Sequence, residues 1–239
     1  MSCEWRILTC IWPCRRRINI GPRAGWNHAL HTGKMNHMEF QDVVRKRRMV
    51  RNYDSSPIDP EQLDRIVHNA LHAPSAGFSQ GWGFLVLDTR DDLNRFWSST
   101  TPEKSAESAS TWLLGMRTAP VVIVPLSCKA EYLRRYSEFD KGWTDQSEDR
   151  WPIPYWHVDT GMAALLILQT VVDEGLGACF FGLPPETVAS FREEFNVPED
   201  YTPVGAITVG RRVADTTIGG SAARRTRKSM EEVVHRGSW

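Results

Sequence analysis

Apolar residues at helical spacing open the patterned part of the chain. Phe40, Val43 and Val44 fall at i, i+3 and i+4 and predict a short helix that runs into a basic stretch. Ser55-Ser56-Pro57 breaks the pattern. Asp59-Pro60-Glu61-Gln62 restarts it, with Asp59 as N-cap, Pro60 in the first helical position and Gln62 reaching back as in a capping box. Leu63, Ile66, Val67, Ala70 and Leu71 then form the buried stripe of a helix that Pro74 ends. A loop rich in Ser and Gly over 75–81 leads into Phe84-Leu85-Val86-Leu87, a strand. Residues 104–118 read as helix, and Val121-Val122-Ile123-Val124 as a buried strand by its β-branched content.

Residues 129–156 break the rhythm. Charges alternate there with Trp143, Trp151, Pro152, Pro154 and Trp156 without a period, a composition suited to a mobile loop or lid. Val158 to Glu174 is a long apolar helix carrying Met162, Leu165, Leu166, Leu168 and Val171, stopped by Gly175-Leu176-Gly177. Ala178 to Phe181 predicts a strand, Pro185 to Phe195 a helix, and Val204 to Val209 a strand ending at Gly210. A basic tail over 211–228 precedes Met230-Glu231-Glu232-Val233-Val234. No repeat and no linker divides residues 38–239, which read as one α+β domain.

Residues 1–37 read as an N-terminal extension. They lack a sustained period, and they hold Arg6, Arg15, Arg16, Arg17, Arg23 and Lys34 against Glu4 alone. The reading is a start placed upstream of Met35 or Met38, with a transit peptide as the alternative on this Arg-rich, acid-poor composition. The whole chain is neutral, so nothing global points to nucleic acid or an anionic membrane. No apolar run approaches the ~20 residues that span a bilayer. Five cysteines (Cys3, Cys10, Cys14, Cys128, Cys179) match no zinc framework and no disulfide scaffold, which suggests a reducing, cytoplasmic setting.

Candidate chemistry is sparse. The chain holds no P-loop, no G-x-S-x-G elbow and no dinucleotide fingerprint after a strand. His68 and His72 share a helix face without the H-E-x-x-H pattern and read as structural. Cys179 has no base beside it in sequence. A chain without its own acid, base, nucleophile or metal site either binds something or borrows its chemistry from a cofactor. Arg47-Arg48-Met49-Val50-Arg51-Asn52-Tyr53 places three arginines in five positions at the end of a helix. Such a run suits a solvated face, or an anion bound by cations and backbone N–H groups.

Four features in order resemble the FMN-dependent nitroreductase family: R-R-M-V-R-N-Y, then A-P-S-x4-Q-G-W from Ala73, then an apolar helix ending G-L-G-A-C, then R-K-S-M-E-E-V-V. The resemblance covers nearly everything from Glu39 onward. It implies a nitroreductase fold, with a central mostly antiparallel sheet flanked by helices and an intertwined homodimer. It further implies an FMN oxidoreductase that takes hydride from NAD(P)H and passes it, in ping-pong order, to a nitroaromatic, quinone or enone. Arg47 and Arg48, with Arg225 and Arg227, look like the clamp on the FMN phosphate and ribityl chain. Arg51 looks like the cation beside the flavin pyrimidine edge. Pro74, Ser75 and Gln80 resemble the segment that the partner subunit lays along the cofactor, and Gly182 the place where backbone approaches the ring.

Departures accompany the resemblance. Met49 stands where the family often has Ser or Thr, Phe78 where it often has Asn, and Phe181 where some members have an acid. The related iodotyrosine dehalogenases carry a Glu-x3-Tyr lid pattern. Here Glu131 is followed by Arg135, with Tyr136 one step beyond, so dehalogenation is not read. Trp143, Trp151 and Trp156 flank the expected lid; packing is the common role of any one, and one of them is expected to touch substrate. The rival readings are a flavin carrier without turnover, and a flavin-destructase or dehalogenase variant of the same fold.

Overall fold

In the computed structural model, residues 38–103, 108–213 and 225–239 are described. The extension expected over 1–37, the start of the helix expected over 104–118, and residues 214–224 of the basic tail lie outside them.

Eight helices run in chain order among the described residues: α1 (Phe40–Lys46), α2 (Pro60–Ala70), α3 (Arg90–Thr100), α4 (Thr111–Met116), α5 (Lys129–Tyr136), α6 (Tyr155–Asp173), α7 (Val188–Glu194) and α8 (Met230–Val233). Six strands form one sheet: β1 (Tyr53–Asp54), β2 (Trp82–Leu87), β3 (Val121–Cys128), β4 (Gly177–Phe181), β5 (Tyr201–Pro203) and β6 (Ala206–Arg212). All strand pairings are antiparallel. β3 lies between β2 on one side and β6 then β5 on the other, and β6 also pairs with β4 and β1.

β3 is buried along its whole length because both faces of the sheet are covered. Side chains alternate across it. Val121 and Ile123 enter a core with Ile66, Ile167 and Val171 of α2 and α6, and Val122 and Val124 enter one with Phe96, Met116 and Phe191 of α3, α4 and α7. Pro125 is tolerated inside this central strand for a local reason. It sits between the stretch paired to β6 (Val121 to Ile123) and the stretch paired to β5 (Leu126 to Cys128). Its carbonyl accepts from Val204 N–H on that side, so the missing N–H faces a gap in the ladder and removes no strand hydrogen bond.

Most expected elements are present, with three corrections. Asp59 caps α2, accepting from Glu61 N–H, and Pro60 takes the first position, but Gln62 does not reach back. Its amide donates instead to the carbonyl and carboxyl of Glu174 at 3.2 Å, joining α2 to the end of α6. Leu71, expected in the buried stripe of α2, is instead its C-cap and half exposed, leaving Leu63, Ile66 and Ala70 as the buried residues. The expected loop over 129–156 begins as helix α5, held by the Glu131–Arg134 pair and anchored by fully buried Tyr132. α6 ends as expected at Gly175, which has φ +73°.

Candidate active site

Arg47 caps α1, its N–H donating to Val43 O, and the chain then turns along β4. Met49 bridges Ala178 in parallel fashion, and Val50 N–H donates to Ala178 O at 2.9 Å. The four site residues of this segment differ in what they present. Arg47 Nη1 is buried and has no hydrogen-bond partner. A buried guanidinium nitrogen without an acceptor is costly unless an anion completes it. Arg48 is exposed and curls back, its Nη1 donating to the carbonyls of Arg45 at 2.6 Å and Arg47 at 3.0 Å. Met49 packs inward, its sulfur accepting from Phe180 N–H at 3.5 Å. Arg51 donates to Met49 O at 3.3 Å, and its charge opposes the upward push that burial gives the Cys179 thiol.

β4 leads from this segment to Phe181 and Gly182. Trp97 lies parallel to the Phe181 ring at 5.9 Å, and Trp112 meets it edge-on at 5.5 Å. Beyond them opens a cavity of about 180 Å³ whose wall includes Phe181, Gly182, Trp97 and Trp112. A Cβ on Gly182 would meet nothing within 4 Å, so backbone there is open to a ligand. A larger cavity, about 790 Å³, lies between the 55–58 loop, α3 and residues 117–121. Size alone would favour it. Neither wall contains the arginine run or the 74–80 loop, and of the expected site residues only Gly182 lines either cavity, the smaller one.

The 74–80 loop belongs to another part of the molecule. Pro74 is exposed, and Ser75 Oγ accepts from Gln80 N–H at 2.7 Å. Gly77, Phe78 and Gln80 adopt φ +61°, +56° and +50°. For the two non-glycine residues that conformation costs roughly 1–2 kcal/mol each. Phe78 is left 73% exposed. The loop's outward hydrogen bonds run to α5 and α6: Ala76 N–H to Asp159 Oδ2 at 2.7 Å, and Arg135 Nε to Gly77 O at 2.9 Å. Within one chain the structure therefore brings the arginine segment to β4, and holds the loop against α5 and α6. Arg225 and Arg227 stand apart from both groups' hydrogen bonds, on a C-terminal segment exposed from 225 to 239.

Trp143, Trp151 and Trp156 join one aromatic cluster with Tyr132, Tyr136 and Tyr155. Trp151 is its centre, 4.5 Å from Tyr136 and 5.5 Å from Trp143. Asp159 and Tyr132 were not singled out by sequence. The signal available was a lone carboxyl inside an apolar helix, a group that must find a partner when buried.

The fold has known counterparts. The model of the Nitroreductase family matches residues 44–211, and the chain belongs to that family. The "Putative NADH dehydrogenase/NAD(P)H nitroreductase" of Methanothermobacter thermautotrophicus is 27% identical over 180 residues, 74% of this chain and 80% of that protein. Among solved structures, nitroreductase CinD of Lactococcus lactis in complex with nicotinic acid superposes with a TM-score of 0.66 at 18% identity, covering 84% of this chain and all of that one. A protein of Exiguobacterium sibiricum 255-15 in complex with FMN gives 0.61 at 19% identity, over 83% and 97% of the two chains. At these identities the structures speak to fold alone.

Proposed function

We propose that the protein is a homodimeric FMN-dependent oxidoreductase, each of whose two sites is assembled from both subunits. The observation that carries this reading is Arg47 Nη1, a buried cationic donor with no acceptor, at the head of a segment running beside β4 toward Gly182. A phosphate completes such a donor. Arg225 and Arg227 supply further charge from the exposed C-terminal segment, and Arg48 joins by uncurling from its own carbonyls. When bound, FMN would accept hydride from NAD(P)H and deliver it to an electron-poor acceptor in ping-pong order.

The chain's part is binding and orientation. Arg51 would hold positive charge at the ring edge, Gly182 would let backbone close on it, and Pro74, Ser75 and Gln80 would come from the second subunit. Several apolar residues fit a second subunit: Phe40 and Val44 on α1, Val158, Met162 and Leu165 on α6, and Val233 near the C-terminus are all exposed. Phe181, locked between two tryptophans, offers no proton, so protons would come from water or substrate. Among the described residues no helix is long and apolar enough to cross a membrane, and Cys128 and Cys179 are buried free thiols, which suit a reducing cytoplasm.

A second reading, a flavin carrier without turnover, is favoured by the inward-turned Met49 and by Phe78, which stands where the family often has Asn. One experiment separates them. Purified protein that is yellow and oxidises NAD(P)H in the presence of a quinone or nitroarene is the enzyme; yellow and inert is the carrier. Analysis of products for dehalogenation or flavin breakdown tests the remaining variants. Protein that binds no FMN on titration removes all of them.

A further inference from the structure

Residues 75–81 are clasped from two helices. Asp159, on α6 and 2% exposed, accepts at Oδ2 from Ala76 N–H at 2.7 Å and from the Tyr132 hydroxyl at 2.8 Å. Burial pushes the Tyr132 hydroxyl above its ordinary value, so it remains a donor at neutral pH. Arg135, one turn along α5, donates to Gly77 O while Asp140 holds its guanidinium at 2.6 and 2.7 Å. The Tyr136 ring closes over Gly77, where a Cβ would lie 2.6 Å from it.

This clasp surrounds a strained turn. Left-handed Phe78 and Gln80 persist only where their surroundings over-determine them. The turn does not bury its aromatic residue, because Phe78 is held outward. It is bonded at Asp159, next to exposed Val158 and three residues from exposed Met162. A rigid turn that displays an aromatic ring at the edge of an exposed apolar helix face is built to meet something outside its own chain.

We propose that Tyr132 and Asp159 are positioning residues that fix the Ser75–Gln80 turn, with Phe78 at its tip, against the cofactor held by the arginine segment of a second copy of this chain. The inference rests on the FMN reading above. It adds that α5 and α6 of one subunit set the affinity and potential of the flavin in the other. Neither Tyr132 nor Asp159 touches the cofactor.

The test uses Tyr132→Phe, which removes one oxygen and keeps the ring packing, and Arg135→Ala, which frees Gly77 O from the outer side. FMN is titrated into each apoprotein, and the thermal midpoint and bound-flavin potential are measured. The expected result for Tyr132→Phe is FMN dissociation weakened about tenfold and a shifted potential, with the apoprotein midpoint within about 4 °C of wild type. Arg135→Ala should move affinity and potential in the same direction, and it stands alone if Tyr132→Phe does not fold. Dimers mixed from Tyr132→Phe and Arg47→Ala subunits decide where the effect acts. One site of full affinity per dimer means the turn serves the partner's cofactor; two weakened sites overturn that. A lowered midpoint with FMN affinity and potential unchanged makes the clasp structural only and overturns the inference while leaving the FMN reading intact. Wild-type protein that fails to bind FMN overturns both.

Discussion

Arg65 and Glu174 form a bidentate pair, 2.7 Å from Nε to Oε1 and 3.0 Å from Nη2 to Oε2, which ties α2 to the end of α6. Glu174 is the less exposed partner, its side chain 10% accessible against 35% for Arg65. The Arg65 hydrogen bonds are the main reason its carboxyl titrates below the ordinary range. A depressed carboxylate stabilises the fold above its unfolded value of about 4.3, and that contribution disappears as pH falls through the folded value. Glu174→Gln should cost about 1–2 kcal/mol near neutrality, discounted for the partly exposed arginine. Urea denaturation across pH should show the gap between wild type and mutant closing below the ordinary carboxylate range. A gap that stays constant into strong acid would mean the pair contributes nothing through its charge.

Replacing Arg47 or Arg227 with Ala should release FMN. Each lost charge-assisted contact is worth about 1.5–3 kcal/mol, or roughly ten- to a hundredfold in affinity. Of the two, Arg47→Ala should cost more, because its Nη1 is already desolvated whereas Arg227 is exposed. Full FMN content in both single mutants and the double mutant is the result that sinks the assignment.

A chain beginning at Met35 should keep its flavin and its thermal midpoint. Residues 1–37 have no periodic pattern from which to build packed core. The first described contact of the body is Met38 N–H to Asp173 Oδ1 at 2.7 Å, which this truncation preserves. A midpoint ten or so degrees lower, well beyond the scatter of a single surface change, would show that the extension packs on the body.

Gly115→Ala tests how tightly the arginine segment is seated. In α4 an alanine should gain up to about 1 kcal/mol of helix propensity. Here its Cβ would land on the carbonyl oxygen of Arg51, well inside contact, and backbone atoms cannot swing aside. Destabilisation of about 1–3 kcal/mol is expected instead, with weakened FMN binding as Arg51 is displaced. A mutant more stable than wild type would show that α4 and the segment are free to separate.

What could be read from sequence follows from how many residues carry each signal. α2 was legible because Asp59 and Pro60 mark its start and Leu63, Ile66, Val67 and Ala70 mark its inner face. β3 and β4 were legible as continuous apolar runs. α5 was missed because only Tyr132 anchors it, and a single buried residue gives no period. β1 and β5, two and three residues long, exist only through pairing with β6 and β3. The arginine run was visible as charge density on a short segment. The clasp was not, since Ala76 and Asp159 are 83 residues apart and neither type stands out alone.

Arg51 carries the redox claim. Its guanidinium lies against Met49 O, close enough to β4 for its charge to act on Cys179. If the flavin ring edge sits beside it, its charge favours the reduced ring, which gains negative charge, over the neutral oxidised one. Arg51→Gln should then lower the two-electron potential while leaving much of the FMN bound, because the proposed phosphate clamp uses other arginines. For such a couple ~30 mV corresponds to ~1.4 kcal/mol, a fitting size for one partly solvated charge near a ring. Turnover should fall mainly in the half-reaction that takes hydride from NAD(P)H. If Arg51 instead serves only the packing of its segment, the mutant changes in stability and keeps its potential. Spectroelectrochemical titration decides: full FMN occupancy with no shift in potential places Arg51 away from the ring.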